Sequence, residues 1–230
     1  MSIANSADPI EIRAGSVILH GDLMTPARPR GLVIFAHGSG SSRFSARNRY
    51  VAETLHVRGY STLLLDLLTA EEEAVDAFTA EFRFDIPRLA ARVRAAAEWS
   101  KTVPELSALP IGYFGASTGA AAALSAAAER PDLVHAVVSR GGRPDLANHA
   151  LPLVHAPTLL IVGGADRDVL EMNRQAMRQM RAHVELRIIK GATHLFEEPG
   201  TLEEVERAAG EWFEQHVDVA SDRRQRMARI

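Results

Sequence analysis

The 230-residue chain contains no cysteine. That absence excludes disulfides, thiolate metal sites and a cysteine nucleophile. Lysine is nearly missing too: of 26 basic residues, all but Lys101 and Lys190 are arginine. Net charge is −3 and the pI about 6.3, so no global basic field draws the chain to a nucleic-acid backbone. Long apolar runs are also lacking. None approaches the roughly 18 residues needed to span a bilayer, and MSIANSADPIEIRAG at the start has no apolar core of the kind a secretory signal requires. The expectation is a soluble, cytoplasmic protein that acts on a small molecule, with neither nucleic acid nor membrane as partner.

Core material is plentiful, since 47% of residues are hydrophobic, enough for one continuous core. Extended aliphatic runs recur at Val17–Leu23, Leu32–Ala36, Thr62–Leu65, Ile111–Phe114, Ala136–Val138, Thr158–Val162 and Leu186–Ile189. Helical patterns separate most of them, at Ala46–Val57, Ile86–Trp99, Thr118–Glu129, Val169–Arg181 and Leu202–His216. Alternation of this kind predicts an α/β fold with a mostly parallel sheet and helices on both faces. The first strands, around Glu11–Leu23, leave no room for a crossover helix and should be antiparallel. No repeat or linker divides the chain, which reads as one domain over residues 1–220. Residues 221–230, SDRRQRMARI, form a basic tail expected to be solvated and disordered. The acidic connection Thr69–Asp85, TAEEEAVDAFTAEFRFD, has no clear period.

The stretch IGYFGASTGAAAALSAAAERP changes character at Ser117. An apolar strand leads in, Gly115-Ala116-Ser117-Thr118-Gly119 makes the turn, and an alanine-rich helix follows. G-x-S-x-G between strand and helix is the setting in which a strained turn exposes a serine oxygen at the carboxyl end of a sheet. A serine at this turn can also do no more than cap the helix, so the chemistry depends on partners. A serine hydroxyl needs a base to remove its proton, and the base needs an acid to orient it. After the strand TLLIVGG come Asp166 and Asp168, either of which can serve as the acid. Asp166 directly follows the strand, and Asp168 is placed to cap the next helix. After ELRIIKG comes His194, which alone among nine histidines follows the last strand and precedes the last helix.

A third element is LVIFAHGSGSS, where a buried strand ends in His37-Gly38-Ser39-Gly40. Small residues there let a backbone N–H point into a cleft, and the amides of Ser39 and Thr118 are expected to form an oxyanion hole. No lysine follows these glycines and the dinucleotide fingerprint is absent, so the loop is neither a P-loop nor a dinucleotide site.

Together the His-Gly loop, the G-x-S-x-G turn, the Gly-Gly-Ala-Asp turn and the Gly-Ala-Thr-His loop resemble the α/β-hydrolase superfamily over nearly the whole chain. HGSGSS, GASTGAAAA and GATHLFEEPG look like the dienelactone hydrolase-like proteins within it. The resemblance implies an α/β-hydrolase fold of about eight strands, a Ser117-Asp166-His194 triad, no cofactor and no metal. Dienelactone hydrolase proper uses a cysteine nucleophile, and position 117 is serine here. Between the strands at Ala136–Val138 and Thr158–Val162 lies only SRGGRPDLANHALPLVHAP, too short for a cap domain. An open site suits small esters or thioesters. Arg43, Arg47 and Arg49 after HGSG and Arg140 and Arg143 in SRGG are the arginines placed to ring the cleft, and of these Arg43 and Arg140 are expected to hold an anionic substrate. The implied activity is hydrolysis through an acyl-enzyme. Acyl transfer by the same triad, or a catalytically silent binding protein with this fold, are the alternatives.

Overall fold

Leu32–Ala36 and Ser61–Leu65 are buried at every position, as strands in the middle of a sheet covered on both faces must be. In the computed structural model, which describes residues 7–218, they are two of eight strands in one sheet. The basic tail expected over 221–230 lies outside the described residues. The strands are β1 (Asp8–Ala14), β2 (Val17–Met24), β3 (Leu32–Ala36), β4 (Ser61–Leu65), β5 (Ile111–Ala116), β6 (Val134–Arg140), β7 (Thr158–Gly163) and β8 (Val184–Ile189). Their order is β1-β2-β4-β3-β5-β6-β7-β8. The β1–β2 and β2–β4 pairs are antiparallel and every other pair is parallel.

Side chains on successive strand positions point to opposite faces, and the core divides accordingly. Ile34, Leu63, Tyr113 and Val137 face helices α3 (Ile86–Ser100) and α4 (Thr118–Glu129). Val33, Phe35, Leu64, Phe114 and Val138 face α1 (Ala46–Val57) and α6 (Thr201–His216). Two further helices complete the fold, α2 (Ala70–Thr79) and α5 (Arg167–Gln179). The alanines of α4 are buried almost throughout. Their small side chains let the helix settle close to the sheet.

The acidic connection contains α2, which starts with a reciprocal capping box. The Thr69 side chain accepts from the Glu72 N–H while Glu72 accepts from the Thr69 N–H. Its far end is folded back by Asp76. That buried carboxylate accepts the N–H groups of Phe82 and Arg83 and pairs with the Arg83 guanidinium. Between β6 and β7 the chain makes only 3-10 turns over Pro144–Leu153, so no cap domain is inserted there.

Because β3, β5, β6, β7 and β8 run parallel, their carboxyl ends open on one rim of the sheet. That rim collects the loops beginning at His37, Ser117, Gly141, Gly164 and Lys190.

Candidate active site

Ser117 occupies the turn from β5 into α4 with φ 50° and ψ −122°, a conformation costly for a residue with a side chain. Three main-chain bonds hold it there. Its N–H donates to the Arg140 carbonyl, and its own carbonyl accepts from Ala120 and Arg143. Its hydroxyl makes no capping bond to the helix, so capping does not account for serine at this position. Glycine at 119 is obligatory for steric reasons: a Cβ there would stand 2.2 Å from the Ala36 carbonyl oxygen. The glycine lets α4 begin against the end of β3, beside the loop that carries Ser39.

His194 lies on the loop after β8. Its Nδ1 is 2.7 Å from Oδ2 of Asp166, which follows β7 through Gly163-Gly164-Ala165. Asp166 begins α5 without using its side chain as a cap, which leaves the carboxylate for the imidazole. Asp168 is exposed in the first turn of α5. The structure therefore brings Asp166, and not Asp168, to the histidine. The imidazole lies over Gly141, where a Cβ would be 3.7 Å from its Cε1, and Gly141 directly follows the residue that accepts the Ser117 N–H. All three expected side chains thus share the rim. The Ser117 hydroxyl and His194 are not hydrogen-bonded in this arrangement.

Ser39 and Thr118 meet directly, Oγ to Oγ1 at 3.0 Å, which ties the loop after β3 to the start of α4. The Thr118 N–H is in the first turn of α4 and so has no helical acceptor of its own. Behind these residues His37 acts as a brace. Its Nε2 accepts the Leu67 N–H at 3.0 Å, so the ring proton resides on Nδ1 and is donated to the Gly38 carbonyl at 2.9 Å. Burial holds the His37 pKa below the ordinary value, against the opposing pull of Gly38, Asp66 and Glu73. The ring is consequently a neutral support for the loop. Its use of both nitrogens on backbone partners carries no sequence signature.

A cavity of about 240 Å³ opens beside Ser39 and Thr118. Leu67, Leu68, Ala77 and Leu89 give it apolar walls, and α2 with its Asp76-bound loop closes the outer side. Among the described residues, no group of three or more His, Asp and Glu could hold a metal ion.

The two expected substrate arginines part company. Arg43 is engaged by Asp66, which takes both its N–H and its guanidinium, and by Asp22 at 3.2 Å; it also covers the Phe44 ring. Its role is to clamp the loop after β3 to β2 and β4. Arg140 is 8% exposed, and its Nη1 is buried without an acceptor. Burial, reinforced by the positive charge of Arg47, pushes its pKa down to about 10.

No helix among the described residues is long and apolar enough to cross a membrane. A family model for the dienelactone hydrolase family matches residues 19–221. A crystal structure of a dienelactone hydrolase from Anabaena variabilis superposes with a TM-score of 0.90 at 55% identity, covering 92% of this chain and 98% of that one. Est1E from Butyrivibrio proteoclasticus shares the fold, with a TM-score of 0.75 at 18% identity over 90% of this chain and 98% of its own. A Mycobacterium tuberculosis protein named "Putative phosphoribosyl transferase" is 54% identical over 222 residues. That match takes in 94% of this chain and 49% of the relative, so the chain spans about half the length of the curated relatives it matches. With the family model covering most of its length, this chain belongs to the dienelactone hydrolase family of α/β hydrolases.

Proposed function

We propose that the chain is a serine hydrolase that cleaves small carboxylic esters or thioesters through an acyl-enzyme. The observation that carries this reading is the 2.7 Å contact between His194 and Asp166 on the same rim as the strained Ser117 turn. Asp166 fixes the imidazole with its proton on Nδ1, leaving Nε2 as the base. The remaining contact, Ser117 Oγ to His194 Nε2, closes when substrate binds, as catalytic hydrogen bonds often tighten only in the Michaelis complex.

In the first half-reaction Nε2 takes the Ser117 proton as Oγ attacks the acyl carbon. The amides of Ser39 and Thr118 receive the negative oxygen, each worth on the order of a hundredfold or more in rate. The C–O or C–S bond to the leaving group then breaks, and the imidazolium returns its proton to that group. In the second half-reaction His194 deprotonates a water that attacks the acyl-serine. Collapse releases the carboxylic acid and restores Ser117. The apolar cavity beside Ser39 and Thr118 accommodates the acyl chain, and its size favours a short one.

A fluorophosphonate probe and turnover of short p-nitrophenyl esters test the reading together. The wild type should be labelled at Ser117 and should release carboxylic acid. Ser117→Ala should lose labelling and turnover while keeping a native unfolding transition. Full ester turnover by that variant would refute the assignment, and acyl product appearing only on an added alcohol or amine would convert it to a transferase.

A further inference from the structure

Arg140 ends β6, and its carbonyl receives the Ser117 N–H, so its backbone lies one strand from the nucleophile turn. Ser139 points toward α4, since a Cβ built on Gly142 would meet both its Oγ and the Ala120 side chain. Strand alternation then sends Arg140 to the opposite face, with Val138, on the side of α1 and α6. It is nine-tenths buried there. Among the described residues no carboxylate pairs with it, and the charge close enough to affect it is another arginine, Arg47.

Arg47 stands in the first turn of α1, which contains no acidic residue. Its Nη1 reaches Glu197 at 3.3 Å, three residues past His194, while its Nε is buried without an acceptor. Guanidinium groups from two separate elements, one at the end of β6 beside the Gly141 that packs on His194 and one at the start of α1 paired with Glu197, therefore each leave a buried nitrogen without an acceptor around the His194 loop. A buried cation without a counter-charge is strongly disfavoured, and an adjacent like charge makes it worse. Neither packing nor a neighbouring side chain relieves it here. An anion from outside would.

We propose that Arg140 and Arg47 form an anion subsite between the end of β6, the start of α1 and the His194 loop, which takes the phosphate of a phosphorylated leaving alcohol. The proposal rests on the hydrolase reading above and adds the substrate class. Topology separates the two halves of such a substrate. The apolar cavity lies beside the loop after β3 and α2, whereas Arg140 ends β6 and Arg47 reaches Glu197 on the loop of the histidine that must protonate the leaving oxygen. Phosphate suits the pair better than carboxylate. Its three terminal oxygens can accept from two guanidinium groups at once, whereas a carboxylate is saturated by one fork, and it brings about −1.5 to −2 charge.

The test uses inorganic phosphate as probe and Ser117→Ala as the protein, so that binding is measured without turnover. Calorimetry should find one phosphate site, weakened about tenfold or more by Arg47→Met and by Arg140→Met, the loss expected for a charge-assisted pair. Arg143→Met, whose guanidinium is already paired with Asp145, should bind phosphate as the parent does. Arg47 is partly exposed, so its variant decides the matter if the Arg140 variant fails to fold. In the wild type, phosphate should inhibit p-nitrophenyl ester hydrolysis competitively. Absence of binding, equal binding by the arginine variants, noncompetitive inhibition, or tighter binding of acetate than of phosphate would each overturn the proposal. Phosphate binding without any ester turnover would keep the site and remove the hydrolase reading; turnover without binding would do the reverse.

Discussion

The carboxylate of Asp166 and the imidazole of His194 meet at 2.7 Å across 28 residues of chain, while Asp168, two positions from Asp166, is exposed in the first turn of α5. Asp166→Asn should therefore lower kcat by about ten-thousandfold, the size of the effect in the serine-protease triad, because the amide presents a donor to Nδ1 and favours the wrong tautomer. Asp168→Asn should leave kcat within about twofold. Steady-state hydrolysis of p-nitrophenyl acetate by both variants provides the comparison, and a larger loss from Asp168→Asn would move the acid role.

Gly119→Ala should destabilise the fold by about 3 kcal/mol or more, since its Cβ would press on the carbonyl oxygens of Ala36 and His37, which are backbone atoms unable to step aside. Gly40→Ala makes a contrast. That glycine has φ 66° with open space around a Cβ, so only the conformational cost of about 1 kcal/mol applies. Urea unfolding of the two variants should separate them by midpoint.

His37 is held neutral in the folded state with its pKa below the ordinary 6.5, chiefly by burial. As pH falls below 6.5, the unfolded chain takes up the proton first, so the stabilisation present at pH 7 is progressively lost toward the folded-state pKa. Burial holds His56 and His216 low as well, and they act in the same direction. Unfolding free energy should decline between pH 7 and pH 5, and His37→Gln should make that decline shallower. An unchanged slope in the variant would show that His37 titrates normally.

Ala77 lines the cavity beside the expected oxyanion hole. Ala77→Phe should fill it and discriminate against longer acyl chains. Two methylenes are worth about 1.6 kcal/mol of burial, so the butyrate-to-acetate ratio of kcat/KM should drop roughly ten- to twentyfold. An unchanged ratio would place the acyl chain elsewhere.

Local signals disclosed a large part of this arrangement. Apolar runs without alternation mark β3 and β4, the small residues around Ser117 mark the turn, and the two-residue link Gly15-Ser16 forces β1 and β2 to be antiparallel. The positions of Asp166 and His194 after β7 and β8 follow from strand order alone. Placement directly after the strand favours Asp166 over Asp168 as the acid, but the contact itself depends on which carboxylate the turn after Gly164 aims at the imidazole. Helix α2 was illegible for a related reason: its apolar face is slight, and its ends are secured by Thr69, Glu72 and Asp76 through side-chain bonds to backbone. Arg43 and Arg140 look alike in sequence. Only the folded chain brings Asp22 and Asp66 to the first and leaves the second without a carboxylate among the described residues.

The strand order also has a consequence for biosynthesis. β3 pairs with β5, so Leu32 must wait for Ile111 before the centre of the sheet can close, and β8 joins only after that. A nascent chain that has not yet reached Thr193 carries the nucleophile turn without its base. On the proposed mechanism such a chain should be silent toward esters, and a product truncated just before that loop should stay so, however well its eight strands assemble.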